Sequence, residues 1–261
     1  VMTVAEILLL LATGMPVFDS ITIAFGTAGT GGFAILNSGL ASYTVLQQGI
    51  VTVFMILFGI NFNVYFLLLI RRRPKEALKS EEMRWYLIII AAAIGLITLN
   101  VRGLFSSWWE AFHHTAFQVA SIITTTGFST SDFNLWPGFS RTILVLLMFV
   151  GACAGSTGGG IKVSRIVVAV KAVAKELARF IHPRNVRMLK LEGKKVEHET
   201  LRTINIFLTA YFLLFALSTL LISLDNFDLI TSFTSVAATL NNIGPGLEIV
   251  GPMSNFSAFS G

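Results

Sequence analysis

Three short segments rich in Gly, Thr and Asn could bind a cation through their main-chain oxygens. They are residues Thr27–Phe33, Thr124–Thr130 and Leu240–Gly246. Glycine adopts backbone dihedrals that other residues rarely reach, so each segment can turn several carbonyl groups toward one point. Rings of backbone carbonyls can replace the hydration shell of K⁺. The residue types therefore predict a cation-binding site assembled from three loops.

Each of these loops follows an apolar stretch that is too short to cross a bilayer twice. An acid stands near the start of each stretch, where a helix N-terminus favours it. A helix that enters the membrane and stops halfway directs its negative C-terminal end at the bilayer centre, where that end stabilises a cation. Irregular backbone at this depth is tolerated only where it lines water or is buried in protein. The stretches are Phe18–Ala28, Trp108–Ile123 and Phe227–Leu240, and the acids are Asp19, Glu110 and Asp228.

The composition of the chain indicates an all-α integral membrane protein. Of its 261 residues, 54% are hydrophobic and only 13% are charged, whereas soluble domains have about 25% charged residues. Several uncharged runs reach the roughly 20 residues that a helix needs to cross a bilayer. The longest are Ser20–Ile70, Ala111–Ser131, Thr142–Ile161 and Thr203–Leu224.

The net charge of +5 comes from two basic segments. Most Lys and Arg residues lie within residues 71–84 and 162–202, which the positive-inside rule places in the cytoplasm. A nucleic-acid partner is the alternative, but a basic loop beside anionic lipid explains the same charges, and we expect no nucleic acid. The single Cys153 cannot form a disulfide within the chain.

The order of apolar helix, short helix, loop and second helix recurs, which predicts an internal repeat. If Gly32, Gly127 and Gly244 are equivalent, the repeat intervals are 95 and 117 residues. Close packing of small residues could explain one such loop, but three in the same order favour pore loops. The first residue, Val1, is not an initiator Met, and residues 254–261 do not include a final membrane helix. We therefore expect the sequence to be a fragment of a longer protein.

A further glycine-rich stretch, Gly151–Gly160, interrupts the predicted helix Thr142–Val170. Each of its five glycines costs a helix about 1 kcal/mol, so either a loop or a simple kink is expected here. Lys162 and Arg165 follow directly. They form either an electrostatic barrier in an ion path or a basic cytoplasmic flank, and we favour the flank.

These motifs resemble the Trk/Ktr/HKT superfamily of cation transporters, most closely its bacterial TrkH branch. The residues that carry the resemblance are Ile123–Thr130, Gly151–Lys162, Leu177–Arg187 and Ala238–Gly246, and it extends over essentially the whole chain. Members have four repeats of helix, pore helix, filter loop and helix around one pore. The resemblance implies about three of the four. The expected units are repeat two over residues 1–70, a cytoplasmic basic linker over 71–82, repeat three over 83–180, a cytoplasmic segment over 181–199, and repeat four over 200–261.

The resemblance also implies roles for individual residues. Filter loops supply carbonyls to K⁺, with the ion held at the three glycines of the repeat, and an intramembrane loop over residues 151–160 acts as a gate. The third loop departs from the Thr-x-Gly-Phe pattern by using Asn-Ile-Gly-Pro, so a four-fold symmetric filter is not expected. The implied filter residues are Thr30, Gly31, Gly32, Thr125, Thr126, Gly127, Asn242, Ile243 and Gly244. The implied gate residues are Gly151, Gly155, Ser156, Thr157, Gly158, Gly159 and Gly160.

By the same resemblance the whole protein is a multi-pass protein that takes up K⁺ across the bacterial inner membrane, with Na⁺ as a second ion that it could pass. It has no covalent cofactor and is not an enzyme. A homodimer, membrane lipid and a cytoplasmic nucleotide-binding subunit docking on Lys171–Arg202 are the implied partners. Flow down the membrane potential and coupling to H⁺ or Na⁺ both fit, because 100 mV supplies about 2.3 kcal/mol per charge.

Two other functions are weighed against this one. An ion-coupled secondary transporter also has broken helices, but its repeats are typically inverted. A serine hydrolase would use Ser156, although the sequence around it lacks the first glycine of a nucleophile elbow. The adjacent His113 and His114 cannot share one metal ion as an i,i+4 pair does, so no metal site is expected.

Overall fold

The protein is mostly helical in the computed structural model, which describes residues 1–36, 38–181, 188–254 and 256–259. The helices are α1 Met2–Ala12, α2 Val17–Ala28, α3 Val45–Phe58, α4 Phe62–Tyr65, α5 Pro74–Ala77, α6 Glu81–Val101, α7 Trp108–Ile123, α8 Gly138–Val150, α9 Val163–Ile181, α10 His198–Ile222 and α11 Leu229–Leu240. The strands are β1 Lys190–Leu191 and β2 Lys194–Lys195.

Side chains with short polar ends fix where several helices begin. Thr44 and Gln47 form a reciprocal capping box at the start of α3. Ser80 caps α6, Ser107 caps α7 and Asp228 caps α11, each accepting a backbone N–H of the first turn. The helix starts are therefore encoded locally, which is why the sequence pattern locates them well.

Two helices are long and apolar enough to cross a bilayer, by length and composition alone. They span Glu81–Leu104 and His198–Asp225. A third candidate is bent: α3 and the segment Phe62–Ile70 meet at 93° across Gly59. The sequence did not predict this bend within its first unit, since the uncharged run continues unbroken through residues 59–61.

The protein exposes many large apolar side chains and buries many polar ones. Only 6% of the most apolar window of His198–Asp225 is buried, and Leu213, Leu217 and Leu220 are more than half exposed. Hydroxyl and amide side chains such as those of Thr125, Ser121 and Gln118 are fully buried. A soluble domain rarely exposes so many large apolar side chains, and this exposure is typical of a protein with lipid around it.

A helix of 12 to 16 residues precedes each of the three loops and itself follows another helix, which is longer in two of the three cases. α2 follows α1, α7 follows α6, and α11 follows α10. The predicted helix over Thr142–Val170 is two helices, α8 and α9, separated by non-helical residues 151–162. We call residues 151–162 the glycine-rich segment.

A small β-hairpin lies between α9 and α10. Lys190 pairs with Lys195 and Leu191 with Lys194, around a two-residue turn. Glu192 and Gly193 both have positive φ, 53° and 74°, as a type I′ turn requires. The sequence predicted a cytoplasmic segment over 181–199, of which residues 182–187 lie outside the described residues.

Candidate functional site

The three Gly/Thr/Asn-rich loops share one pattern of backbone hydrogen bonds. In each, an N–H just after the half-helix donates to the carbonyl five residues earlier. The pairs are Gly31 to Gly26 at 2.9 Å, Thr126 to Ser121 at 2.9 Å, and Ile243 to Ala238 at 2.7 Å. These donors are separated by 95 and 117 residues, the intervals expected from the sequence. The loops therefore have the same local geometry.

The same loops also share an unusual set of backbone dihedrals. A non-glycine residue with positive φ comes first, and a glycine with positive φ follows two residues later. The pairs are Thr30 at 49° and Gly32 at 63°, Thr125 at 58° and Gly127 at 87°, and Asn242 at 56° and Gly244 at 105°. A left-handed conformation costs a β-branched residue about 1–2 kcal/mol. Strain of this kind persists only where the surroundings fix it, as they do at functional sites.

The loops touch one another through their main chains. A Cβ added to Gly32 would lie 1.7 Å from the carbonyl oxygen of Thr126. A Cβ added to Gly127 would lie 1.9 Å from the carbonyl oxygen of Ile243. Only glycine fits at either position. The three loops thus stand side by side, with the Gly127 loop between the other two.

Burial follows this order of the loops. Phe128 in the middle loop is 1% exposed, whereas Phe33 in the first loop is 83% exposed. The Phe128 ring packs against Gly26 of α2, where an added Cβ would lie 2.9 Å from it. At Gly244 no atom of the described residues lies within 4 Å of an added Cβ. The third loop is therefore open on the side away from the middle loop.

The half-helices end at this group of loops. α2 ends at Gly29, α7 at Thr124 and α11 at Asn241. Helix C-termini carry partial negative charge, and the adjoining carbonyl oxygens are those that touch the neighbouring loop. The arrangement offers several main-chain oxygens and three helix C-termini to a cation. The three loops contain hydroxyl and amide side chains but no Asp, Glu, His, Lys, Arg or Cys.

The glycine-rich segment contacts all three loops. Thr30 donates its hydroxyl to the carbonyl of Thr157 at 3.2 Å, and the N–H of Gly159 donates to the hydroxyl of Thr125 at 2.6 Å. A Cβ on Gly159 would lie 2.4 Å from the carbonyl oxygen of Asn241. The segment predicted to be a gate therefore lies directly against the loops predicted to be a filter.

Two glycines allow the ends of this segment to cross. Gly151 and Gly160 have φ of 69° and 75°. A Cβ on Gly160 would lie 2.8 Å from the Cα of Gly151. The N–H of Lys162 also donates to the carbonyl of Val150 at 3.1 Å. The chain thus leaves the helical path at Gly151 and returns to almost the same place.

The two basic residues after the glycines differ in position. The Lys162 ammonium donates to the carbonyl of Gly158, so this side chain turns back onto the segment. Arg165 donates to the carbonyl of Ile161 at 3.0 Å and stacks 4.3 Å from the centroid of the Phe207 ring. The electrostatic barrier in an ion path and the basic cytoplasmic flank both stay predictions for Lys162 and Arg165.

Sequence reasoning missed several polar residues that support the site. The carboxylate of Glu82 is buried and accepts the N–H of Ala154 at 2.6 Å. Tyr211 donates its hydroxyl to the side-chain oxygen of Asn241 at 2.9 Å, where α11 ends. In the sequence, Glu82 is one of two acids at a helix start and Tyr211 is one apolar residue among many. No spacing pattern distinguished them.

The histidines and Ser156 have local partners. A ring nitrogen of His113 lies 2.7 Å from Gln48, and one of His114 lies 3.1 Å from Thr130. Ser156 donates to the carbonyl of Cys153 at 2.6 Å. Among the described residues, no group of three or more His, Cys, Asp or Glu is arranged to hold a metal ion.

At the other end of α2, Tyr43 donates its hydroxyl to Asp19 at 2.9 Å. Burial and the neighbouring Asp19 carboxylate raise the pKa of Tyr43 to about 12. Asp19 thus holds the loop before α3 against the start of a half-helix. Asp19 therefore has a structural partner in Tyr43, which is compatible with its interpretation as an acid at a helix N-terminus.

Exposed apolar helices, two of which among the described residues are long enough to cross a bilayer, indicate a membrane protein. The family model for TrkH, described as a cation transport protein, matches residues 7–260. The chain belongs to the TrkH family.

Individual relatives agree with this assignment. The chain is 35% identical over 262 residues to the Trk system potassium uptake protein TrkH of Salmonella typhimurium, covering 99% of the chain and 54% of the relative. It is 30% identical over 236 residues to the Trk system potassium uptake protein TrkG of Escherichia coli, covering 89% of the chain and 48% of that relative. The chain spans about half the length of these relatives.

A solved structure shows the same fold. The crystal structure of the potassium transporter TrkH from Vibrio parahaemolyticus matches with a TM-score of 0.90 and 34% identity, over 95% of this chain and 54% of that one. The resemblance to the Trk superfamily, the helical membrane fold and the assignment to a family of transporters rather than enzymes are confirmed.

Proposed function

We propose that this chain supplies most of the pore of a potassium-uptake protein in a bacterial inner membrane. The observation that carries the proposal is the direct contact between the three loops at Gly32 and Gly127. Loops that touch main chain to main chain can present their carbonyls to one ion. Relatives named as potassium uptake proteins support K⁺ as the transported ion.

The proposed filter uses carbonyls from the residues just before and at Gly32, Gly127 and Gly244. Backbone oxygens select K⁺ by replacing its hydration shell. The C-termini of α2, α7 and α11 add negative potential at the same place. The open side at Gly244 fits a fourth loop of the kind that the family resemblance implies.

The proposed gate is the glycine-rich segment. Its hydrogen bonds to Thr30 and Thr125 support a segment that blocks the ion path beside the filter in this conformation. Its several glycines give the backbone the conformational freedom that a moving segment needs. Shortening the segment should raise the K⁺ flux, and an unchanged flux would contradict the gate.

The finer features of the whole protein are part of the same proposal. We assign it a multi-pass topology with residues 71–84 and the β-hairpin in the cytoplasm, following the positive-inside rule. The basic region Lys171–Arg202 is the proposed contact for a cytoplasmic nucleotide-binding subunit, and two copies form a dimer. These statements rest on the family resemblance and the charge distribution.

The experiment is ion flux in proteoliposomes that contain the complete protein. K⁺ uptake should exceed Na⁺ uptake and should follow an imposed membrane potential. Gly127→Ser should reduce the discrimination between the two ions. Equal uptake of K⁺ and Na⁺ by the wild type would overturn the proposed filter, and uptake that requires a H⁺ or Na⁺ gradient would favour coupled transport.

A further inference from the structure

The carboxylate of Glu82 binds both the glycine-rich segment and the first turn of α9. Glu82 is 5% exposed. Its Oε1 accepts the N–H of Ala154 at 2.6 Å and the N–H of Ser164 at 3.2 Å. Its Oε2 accepts from the side chain of Asn61 at 3.4 Å. One oxygen thus bridges the first part of the segment and the first turn of α9.

These bonds are of the strong kind. Ser164 belongs to the first turn of α9, where backbone N–H groups have no partner within the helix and where negative charge is favourable. Hydrogen bonds to a carboxylate are stronger than hydrogen bonds between neutral groups. The segment is therefore fixed from one side by Glu82 and from the other by the loops.

The opposite side of the same helical turn holds the β-hairpin. The carboxylate of Glu192, at the hairpin turn, accepts the Ser80 hydroxyl at 2.9 Å and the N–H of Glu82 at 3.1 Å. The N–H of Glu192 donates to Glu81 at 3.3 Å. The start of α6 is therefore shared between the hairpin and the glycine-rich segment.

Lys171 of α9 ties the hairpin to this point a second time. Its ammonium donates to the carboxylate of Glu81 and to the carbonyl of Lys190, the latter at 2.9 Å. The hairpin, α9 and α6 thus meet at the residue next to Glu82. A displacement of the hairpin changes the position of the α6 start, and with it the Glu82 carboxylate.

We propose that Glu82 is the positioning residue of the glycine-rich segment and couples it to the β-hairpin, so that movement of the hairpin changes the fit of the segment against the loops. The inference rests on the proposed function in treating the segment as a gate. It adds the residue that holds the gate and the surface through which a cytoplasmic partner acts on it.

The direct test measures how often the segment opens. Cys153 lies in the segment and is fully buried, so a maleimide labels it only when the segment moves. In the complete protein in detergent, Glu82→Ala should raise the labelling rate of the Cys153 peptide at least about tenfold, the factor that one charge-assisted hydrogen bond represents. Peptide mass spectrometry separates this site from any other cysteine.

Matched variants separate positioning from a general loss of packing. Glu76→Ala removes an exposed acid whose ion pair is with Arg73 and should leave Cys153 labelling unchanged. Glu82→Gln keeps the shape and one acceptor oxygen, so its labelling rate should lie between wild type and Glu82→Ala. This variant also provides the result if Glu82→Ala does not fold.

The link to the hairpin has its own variant. Glu192→Ala should raise Cys153 labelling less than Glu82→Ala does, and the double variant should match Glu82→Ala because both act through one contact. Additive effects would overturn the coupling, and wild-type labelling in Glu82→Ala and Glu82→Gln would overturn the positioning role. Unchanged K⁺ flux in a protein with a shortened segment would refute the gate alone, since labelling does not depend on transport.

Discussion

Replacing Gly127 by alanine places a methyl group inside the neighbouring loop. The new Cβ would lie 1.9 Å from the carbonyl oxygen of Ile243, 3.1 Å from its carbonyl carbon and 3.3 Å from Cδ of Pro245. Non-bonded heavy atoms prefer about 3.5 Å, so the two loops must separate by roughly 1.5 Å. No flexible side chain can absorb this shift, because the two nearest obstructing atoms are backbone and the third belongs to a proline ring.

The cost has two parts. Overpacking costs about 1–3 kcal/mol, and the φ of +87° at Gly127 costs an L-residue about 1–2 kcal/mol more. We expect Gly127→Ala to lower the free energy of unfolding by about 2–5 kcal/mol. The separation also removes one loop from the shared ion position, so K⁺ uptake and its preference over Na⁺ should both fall.

The assay is K⁺ and Na⁺ uptake in proteoliposomes, with thermal unfolding of the same preparations. Gly95→Ala is the matched control. Gly95 lies inside α6 with no atom of the described residues within 4 Å of an added Cβ, so alanine should be neutral or stabilise the helix by up to about 1 kcal/mol. Wild-type uptake and selectivity in Gly127→Ala would refute the packing argument.

Three further substitutions test individual contacts. Thr125→Val removes the hydroxyl that accepts the N–H of Gly159; basal K⁺ flux should rise, and a flux equal to wild type would count against this contact as part of the gate. Tyr211→Phe leaves the asparagine at the end of α11 without its donor and should lower the unfolding free energy by about 1 kcal/mol, seen as a lower melting temperature. Tyr43→Phe removes the bond to Asp19. The fold raises the pKa of Tyr43 from 10.0 to about 12, so the wild type keeps the stability from this bond below pH 10 and loses it as the pH rises toward 12. Tyr43→Phe should show no such loss between those values. Parallel curves of melting temperature against pH for the two proteins would contradict this role of Tyr43.

The sequence predicted the half-helices and their loops because both are encoded locally. Each half-helix starts at or near a polar residue, and each loop needs a glycine at one dihedral that other residues avoid, as at Gly32 and Gly127. Local rules of this kind do not depend on the rest of the fold. The interruption between α8 and α9 was predictable for the same reason, because five glycines stand in ten residues.

Contacts between distant parts of the chain were not predictable. Glu82 is separated by 72 residues from Ala154 and by 82 from Ser164. In the sequence an acid at the start of an apolar helix is typical of a cap, and no pattern shows which acid turns inward. The bend after α3 was not predictable for a related reason. It depends on a contact with the glycine-rich segment, in which the N–H of Cys153 donates to the carbonyl of Gly59 at 3.0 Å.

The side-by-side order of the loops is also a tertiary property. The motif at each loop predicts its shape but not its neighbour. That Gly127 packs on Ile243 while Gly244 is open depends on how α2, α7 and α11 are arranged. A single sequence contains no periodic signal for this arrangement.

In the proposed filter, main-chain carbonyls of the three loops converge on one ion. Anomalous diffraction from crystals of the complete protein grown with Rb⁺ in place of K⁺ measures this directly. We expect an anomalous Rb⁺ peak at a point within coordination distance of main-chain oxygens from the Gly32, Gly127 and Gly244 loops. A peak held by side chains elsewhere, with none between these loops, would contradict it.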